Sequence, residues 1–213
     1  AQHKVKSNYE KYSQVRSTSG KTGREVAEEI LHANGIYDVD VVKGEGFLTD
    51  HYDPNKKVVC LSPANFDRPS VAGTAIAAHE VGHAIQHQQG YAFLRFRTAL
   101  VPLANIGSSL SYIIIMAGIF LTALGSAFGS TALWIGAGLM SLAVLFSIVT
   151  LPVEFDASSR AMKQITALNI VNEKEYKHAR KVLSAAAMTY VAATATAVAE
   201  LVRIILLARA SDN

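Results

Sequence analysis

Between Arg97 and Glu154 the chain carries no Asp, Glu, Lys, Arg or His, a run of 56 residues from 98 through 153. A soluble domain presents charge wherever its surface meets water, and roughly a quarter of its residues are Asp, Glu, Lys or Arg. Here that share is 17%, against 50% hydrophobic residues. Within the run, 101–124 and 131–152 each reach the ~20 residues that a helix needs to cross ~30 Å of hydrocarbon. Gly125–Ser130 supplies a short turn between them, and Trp134 lies close by, where an interfacial aromatic belongs. The pattern predicts a transmembrane hairpin. Two helices buried in a soluble core would need partners covering both all round, and the rest of this chain is too short to supply them.

The flanking segments are ordinary folded sequence. Residues 1–20 are polar and basic and read as a surface or juxtamembrane arm. Thr22-Gly23-Arg24-Glu25 has the spacing of a capping box, and the apolar period that follows, stopped by Asn34-Gly35, predicts a helix over 23–33. Alternating β-branched residues around Val39–Val42, Phe47–Thr49 and Val58–Leu61, with a turn at Asp53-Pro54-Asn55, predict a small antiparallel sheet. A second helix follows over about 70–89, capped by Ser70 and ended by Gly90. Beyond the hairpin, 153–181 is charged and helical. The stretch 182–199 is rich in Ala and Thr, small residues that permit close helix packing, and reads as a third span.

The 20 basic residues are interspersed with 17 acidic ones. No basic stripe with interleaved aromatics stands out, which argues against nucleic acid as a partner. The spans hold no ionisable group to mark a transport pathway. A single cysteine, Cys60, excludes an internal disulfide framework and reads as a small buried hydrophobe.

The 70–89 helix contains His79-Glu80-Val81-Gly82-His83. Residues four apart share a helix face, so both imidazoles reach one ion. A zinc ion held there lowers the pKa of a water towards 7, and Glu80 is placed to take the proton as that water attacks a carbonyl. A catalytic zinc wants three protein ligands. His87, another turn on, lies too far along a straight helix to close comfortably on the ion and is read as a supporting or solvent group. Glu154 is the favoured third ligand, since two crossings separate it from His83 and return the chain to the side it left. Asp156 remains open as a neighbour that orients a ligand histidine through its ring N–H.

The stretches "LTDHYDPNKKVVCLSP", "AAHEVGHAIQHQQGY", "LVPLANIG", "LPVEFDASSRA" and "AAAMTYVAA" resemble the YugP-like membrane zinc metallopeptidases over nearly the whole chain. That family is similar to the wider gluzincin group, including the HtpX and CAAX-processing membrane proteases. The resemblance implies an α+β, mostly helical fold. A zincin-like domain with a small sheet would be interrupted by the hairpin and followed by an apolar C-terminal helix. It also implies Glu154 as third ligand, an apolar helix ahead of residue 1, and substrate added as a strand along Lys57–Leu61. One departure is that the relatives carry Glu-x-x-x-Asp where this chain has Ser158 four residues after Glu154, which leaves the supporting carboxylate to Asp156 or removes it.

The expected organisation is therefore 1–100 as the first half of the catalytic domain, 101–152 as the hairpin, 153–181 as the second half, and 182–213 as a C-terminal span and tail. Tyr190, Arg160, His178, His51 and His87 are the candidates for a group that stabilises the oxyanion. Arg95, Arg97, Arg160, Lys163 and the basic group at 174–181 lie on the site-bearing side while the 125–130 turn has none. The site of this integral membrane protein, of bacterial plasma-membrane type, is thus expected to face the cytoplasm. The function expected is a zinc peptidase acting on peptide or protein substrates at the bilayer, with a zinc-stabilised scaffold without turnover as the alternative.

Overall fold

The computed structural model describes residues 2–212 and divides into two units, one made of residues up to Leu94 with Val153–Thr189, the other of Arg95–Pro152 with the residues from Tyr190 on. The first unit opens with α1 (Gln2–Ser13), where a surface arm was expected. Its apolar anchor is a pair of tyrosines three apart on one face: Tyr9 and Tyr12 are both 3% exposed. The Tyr9 hydroxyl donates to Asn65 Oδ1 at 3.1 Å, and the Tyr12 ring stacks on His178 at 4.7 Å. Helix α2 (Gly23–Ala33) starts at the full capping box of Thr22 and Glu25.

The sheet is mixed, not antiparallel. Strands β1 (Asp40–Lys43), β2 (His51–Asp53) and β3 (Val58–Leu61) take the order β1-β3-β2, with β1 parallel and β2 antiparallel to β3. The tight turn after Asp53, whose carboxylate accepts from the Asn55 and Lys56 amides, folds β2 directly onto one edge of β3. The remaining edge is reached by β1, running in the same direction as β3. Phe47–Thr49, expected as a strand, is a bend in which Leu48 takes a φ of 55°. Its neighbour Asp50 is drawn onto the start of the short helix α3 (Pro63–Asp67), where its carboxylate accepts from the Ser62 amide and from Asn65 Nδ2. Cys60 is half-buried, facing the Gly44 backbone from β3.

Helix α4 (Val71–Gln88) begins at Ser70, whose hydroxyl accepts from the Gly73 amide. It is buried on nearly every side, which its run of Ala, Gly and Val permits, because small side chains let neighbours approach all round. One neighbour is α2, which buries Val26, Ile30 and Leu31 in a core shared with Val59 and Leu61 of β3. Ala161 and Ile165 of α6 (Phe128–Ala167) and Val182 of α7 (Glu173–Ser211) complete that core.

The second unit is built from α5 (Ala92–Ala123) and the remaining parts of α6 and α7. Helix α5 ends at Gly125, with a φ of 73°, and α6 returns beside it. The approach is close: a Cβ on Gly107 would sit 2.6 Å from the Leu139 carbonyl oxygen. Within this unit α7 packs on the pair, with Ile204 and Ala208 buried among Ile115, Leu133 and Ala137. Its last turn meets the far end of the hairpin, where Asp212 accepts from Ser130 and from Trp134 Nε1. Among the described residues, three helices are long and apolar enough to cross a membrane. The outward residues are apolar too: Tyr112, Ile113 and Phe120 of α5 are 69%, 64% and 64% exposed, a surface suited to lipid rather than water.

Candidate metal centre

The site is made where α4 meets α6, and Gly82 sets how closely they meet. A Cβ at Gly82 would lie 2.6 Å from the Ala157 carbonyl oxygen, so any side chain there would hold the two helices apart. With glycine in place, the ring nitrogens of His79 and His83 face Glu154 one helix away. His79 Nε2 lies 3.3 Å and His83 Nε2 3.7 Å from Glu154 Oε2. The three donor atoms all fall within 4.8 Å of one another. Tetrahedral ligands bound to zinc at ~2.05 Å stand ~3.3 Å apart, so this set of two imidazoles and one carboxylate is positioned to hold that ion. The donors are sheltered, with His83 8% and Glu154 3% exposed.

The far ring nitrogens are held by neutral groups. His83 Nδ1 is 3.0 Å from Gln86 Oε1. Gln86, one turn on and fully buried, donates its Nε2 to the Val153 carbonyl oxygen and to Asp156 Oδ2, both at 2.8 Å. Those two acceptors dictate which way the amide points. Its oxygen must face His83, His83 must donate from Nδ1, and the Nε2 lone pair is left towards Glu154. Asp156 is fixed in turn by Arg160 Nε, so it acts on His83 through Gln86 rather than by direct contact. Ser158 Oγ lies 3.1 Å from His79 Nδ1, the second supporting contact. Sequence reasoning missed Gln86, which sits among Gln88 and Gln89 and reads as the polar end of a helix. Its spacing of three residues from a ligand histidine was the available signal.

The charges of the site interlock. Burial pushes the Glu80 carboxyl above the usual carboxylate range, while His79 and His83 pull it back. For His83, burial works against the imidazolium, but Glu154 and Glu80 outweigh it and raise the pKa above its ordinary value. Burial likewise works against the Glu154 carboxylate, yet hydrogen bonds from His79 and His83 win and hold it far below the usual range. Glu80 itself is 9% exposed and close enough to both rings for their charges to act on it.

The other residues singled out from sequence are engaged elsewhere. His87 Nδ1 pairs with the Tyr52 hydroxyl at 2.8 Å, and burial with the nearby Asp38 and Asp53 pushes that phenol up to about 12. Arg160, besides Asp156, donates to Gln89 Oε1 at 2.6 Å and covers the Tyr91 ring. His178 stacks on Tyr12, and His51 Nδ1 meets the Thr49 carbonyl oxygen at 2.8 Å. Tyr190 falls on α7 in the second unit. Lys57–Leu61 contributes the central strand of the sheet, paired on both sides by β1 and β2, and so offers no free edge for an added strand; the edges are β1 and β2.

Residues 1–209 match the family described as "Putative neutral zinc metallopeptidase". The chain is also similar to "Putative membrane protease YugP" of Bacillus subtilis (strain 168), with 44% identity over 207 residues covering 97% of this chain and 89% of that protein. No solved structure matches it.

Proposed function

Because the chain belongs to that neutral zinc metallopeptidase family, we propose that it is an integral-membrane zinc peptidase whose ligands are His79, His83 and Glu154 and whose general base is Glu80. The observation that carries this reading is the convergence of three donor atoms within 4.8 Å beside a buried carboxyl with a raised pKa. Zinc held there supplies a Lewis acid that brings the pKa of water near neutrality and polarises a carbonyl. Glu80 takes the proton from the water as its oxygen attacks the peptide carbonyl carbon. It then delivers that proton to the departing amine as the C–N bond breaks. A carboxyl whose pKa burial raises suits both halves of the transfer. Gln86 and Ser158 keep the ligand rings oriented throughout.

The catalytic half formed by residues up to about 100 would be completed by 153–181, with the hairpin an insertion between two parts of one metal site. Arg95, Arg97, Arg160 and Lys163 stand at the site-bearing ends of α5 and α6, while the turn between them carries no charge, which supports a site facing the cytoplasm.

The test is metal analysis and peptide hydrolysis on purified protein beside Glu80→Gln. Stoichiometric zinc in both, with hydrolysis lowered about 10²- to 10⁴-fold in the variant, is the expected result for a lost general base. Full hydrolysis by Glu80→Gln would remove Glu80 from the mechanism. Bound zinc with no hydrolysis by the unaltered protein would favour a scaffold.

A further inference from the structure

A groove of about 970 Å³ runs between α6 and α7 within the first unit. That is the upper end of the ~300–1,000 Å³ of small-ligand sites. Along α6 it extends from Phe155 to Ala167, and the helical rises between them, ~1.5 Å each, make it roughly 18 Å long, room for about five residues of extended peptide. Its lining is largely apolar and adaptable, with Met162, Leu183 and Met188, and thioether side chains accommodate varied apolar shapes. Phe155 and Met188 are 47% and 50% exposed along it.

Two features distinguish it from a plain apolar cleft. Ser158, whose hydroxyl meets the Nδ1 of His79, is one of its lining residues, so the groove reaches the outer face of one histidine of the donor set, one side chain away from it. The lining also holds two cations, Lys163 and Arg180, and Tyr176, and among the described residues no Asp or Glu lines the groove. Among the described residues neither cation forms an ion pair. Lys163 lies five residues beyond Ser158, roughly 7.5 Å on a helix, which is two to three residues of extended peptide.

Resting on the peptidase reading, we propose that this groove binds the substrate as an extended apolar peptide segment carrying one acidic side chain, recognised by Lys163 and Arg180 two to three residues beyond Ser158. A peptide is favoured over an anionic lipid because the groove begins at Ser158, which supports His79 of the donor set.

Binding is measured by fluorescence anisotropy on the full chain in nanodiscs of neutral lipid, in the zinc-loaded Glu80→Gln form, so that turnover does not intervene. The probes are labelled apolar peptides that differ only in one Glu, Gln or Lys, and zinc content verifies each variant. The Glu peptide is expected to bind about ten-fold more tightly than its Gln twin. Lys163→Ala/Arg180→Ala should erase the difference, and Lys163→Glu/Arg180→Glu should turn the preference to the Lys peptide. Equal binding of all three peptides overturns the proposal. So does a preference for Glu that survives both double variants, or double variants that lose only phosphatidylglycerol binding. Hydrolysis by the unaltered protein is scored separately: charge-selective binding without hydrolysis sinks the peptidase reading alone, and hydrolysis without charge selectivity sinks the groove alone.

Discussion

Replacing Gln86 by Met keeps the volume of the side chain and removes its polar end. Three contacts disappear: the one with His83 Nδ1 at 3.0 Å and the two donated at 2.8 Å to the Val153 carbonyl and to Asp156. Asp156 still has Arg160, so the main injury falls on His83, a buried ring left with an unpaired N–H and no preference for which nitrogen faces Glu154. An unsatisfied buried donor costs about 1–3 kcal/mol, and the loss of a group supporting a metal ligand lowers affinity or activity about 10- to 100-fold, equivalent to roughly 1.4–2.7 kcal/mol. Two independent magnitudes therefore agree. Zinc affinity, measured by competition with a chromogenic chelator in detergent, should fall by that factor, while the helical circular dichroism spectrum stays unchanged. Gln86→Glu provides the contrast. It restores an acceptor for His83 but sets a carboxylate against Asp156 and loses both donated bonds, so the fold itself should suffer. A Gln86→Met protein that binds zinc as tightly as the unaltered one would refute the argument that the amide fixes the histidine.

Other consequences follow from the same geometry. Gly82→Ala gains about 1 kcal/mol of helix propensity. It also places a methyl 2.6 Å from the backbone oxygen of Ala157, which cannot swing aside, so a net loss of about 1–3 kcal/mol is expected, read as a lower Tm and weaker zinc binding; a higher Tm with unchanged binding would refute it. Glu154→Ala should leave a two-histidine site and lose zinc at chelator concentrations that the unaltered protein withstands. For pH, zinc must displace the proton that Glu154 and Glu80 stabilise on His83, whose pKa stands above its ordinary value. Apparent zinc affinity should therefore keep rising with pH past the ~6.5 of a free histidine. A plateau reached at or below that pH would contradict the raised value.

What the sequence makes legible here is whatever depends on local spacing. The capping box at Thr22 and Glu25 and the four-residue interval of the two histidines are properties of a single helix turn, and the uncharged run needs only its length. The order of the strands was not legible. It depends on Asp50, which follows the Phe47–Thr49 segment, accepting from the Ser62 amide and the Asn65 side chain, 12 and 15 residues away. Nor was α1, whose helix is mostly polar and is anchored by two tyrosines that find partners more than 50 residues away.

Gln86 shows the limit most sharply. In one dimension it is a polar residue near a helix end, and only the arrival of α6 from beyond the hairpin turns it into the link between Asp156 and a metal ligand. The same arrival explains why Gly82 stands inside the motif. The histidines and Glu80 need only α4, but the third donor comes from another helix, and its distance is set by how closely two backbones approach. A chain that splits such a donor set across a long apolar hairpin must rebuild that distance on returning. Here a missing side chain on one helix and a buried amide bridging to the other do so.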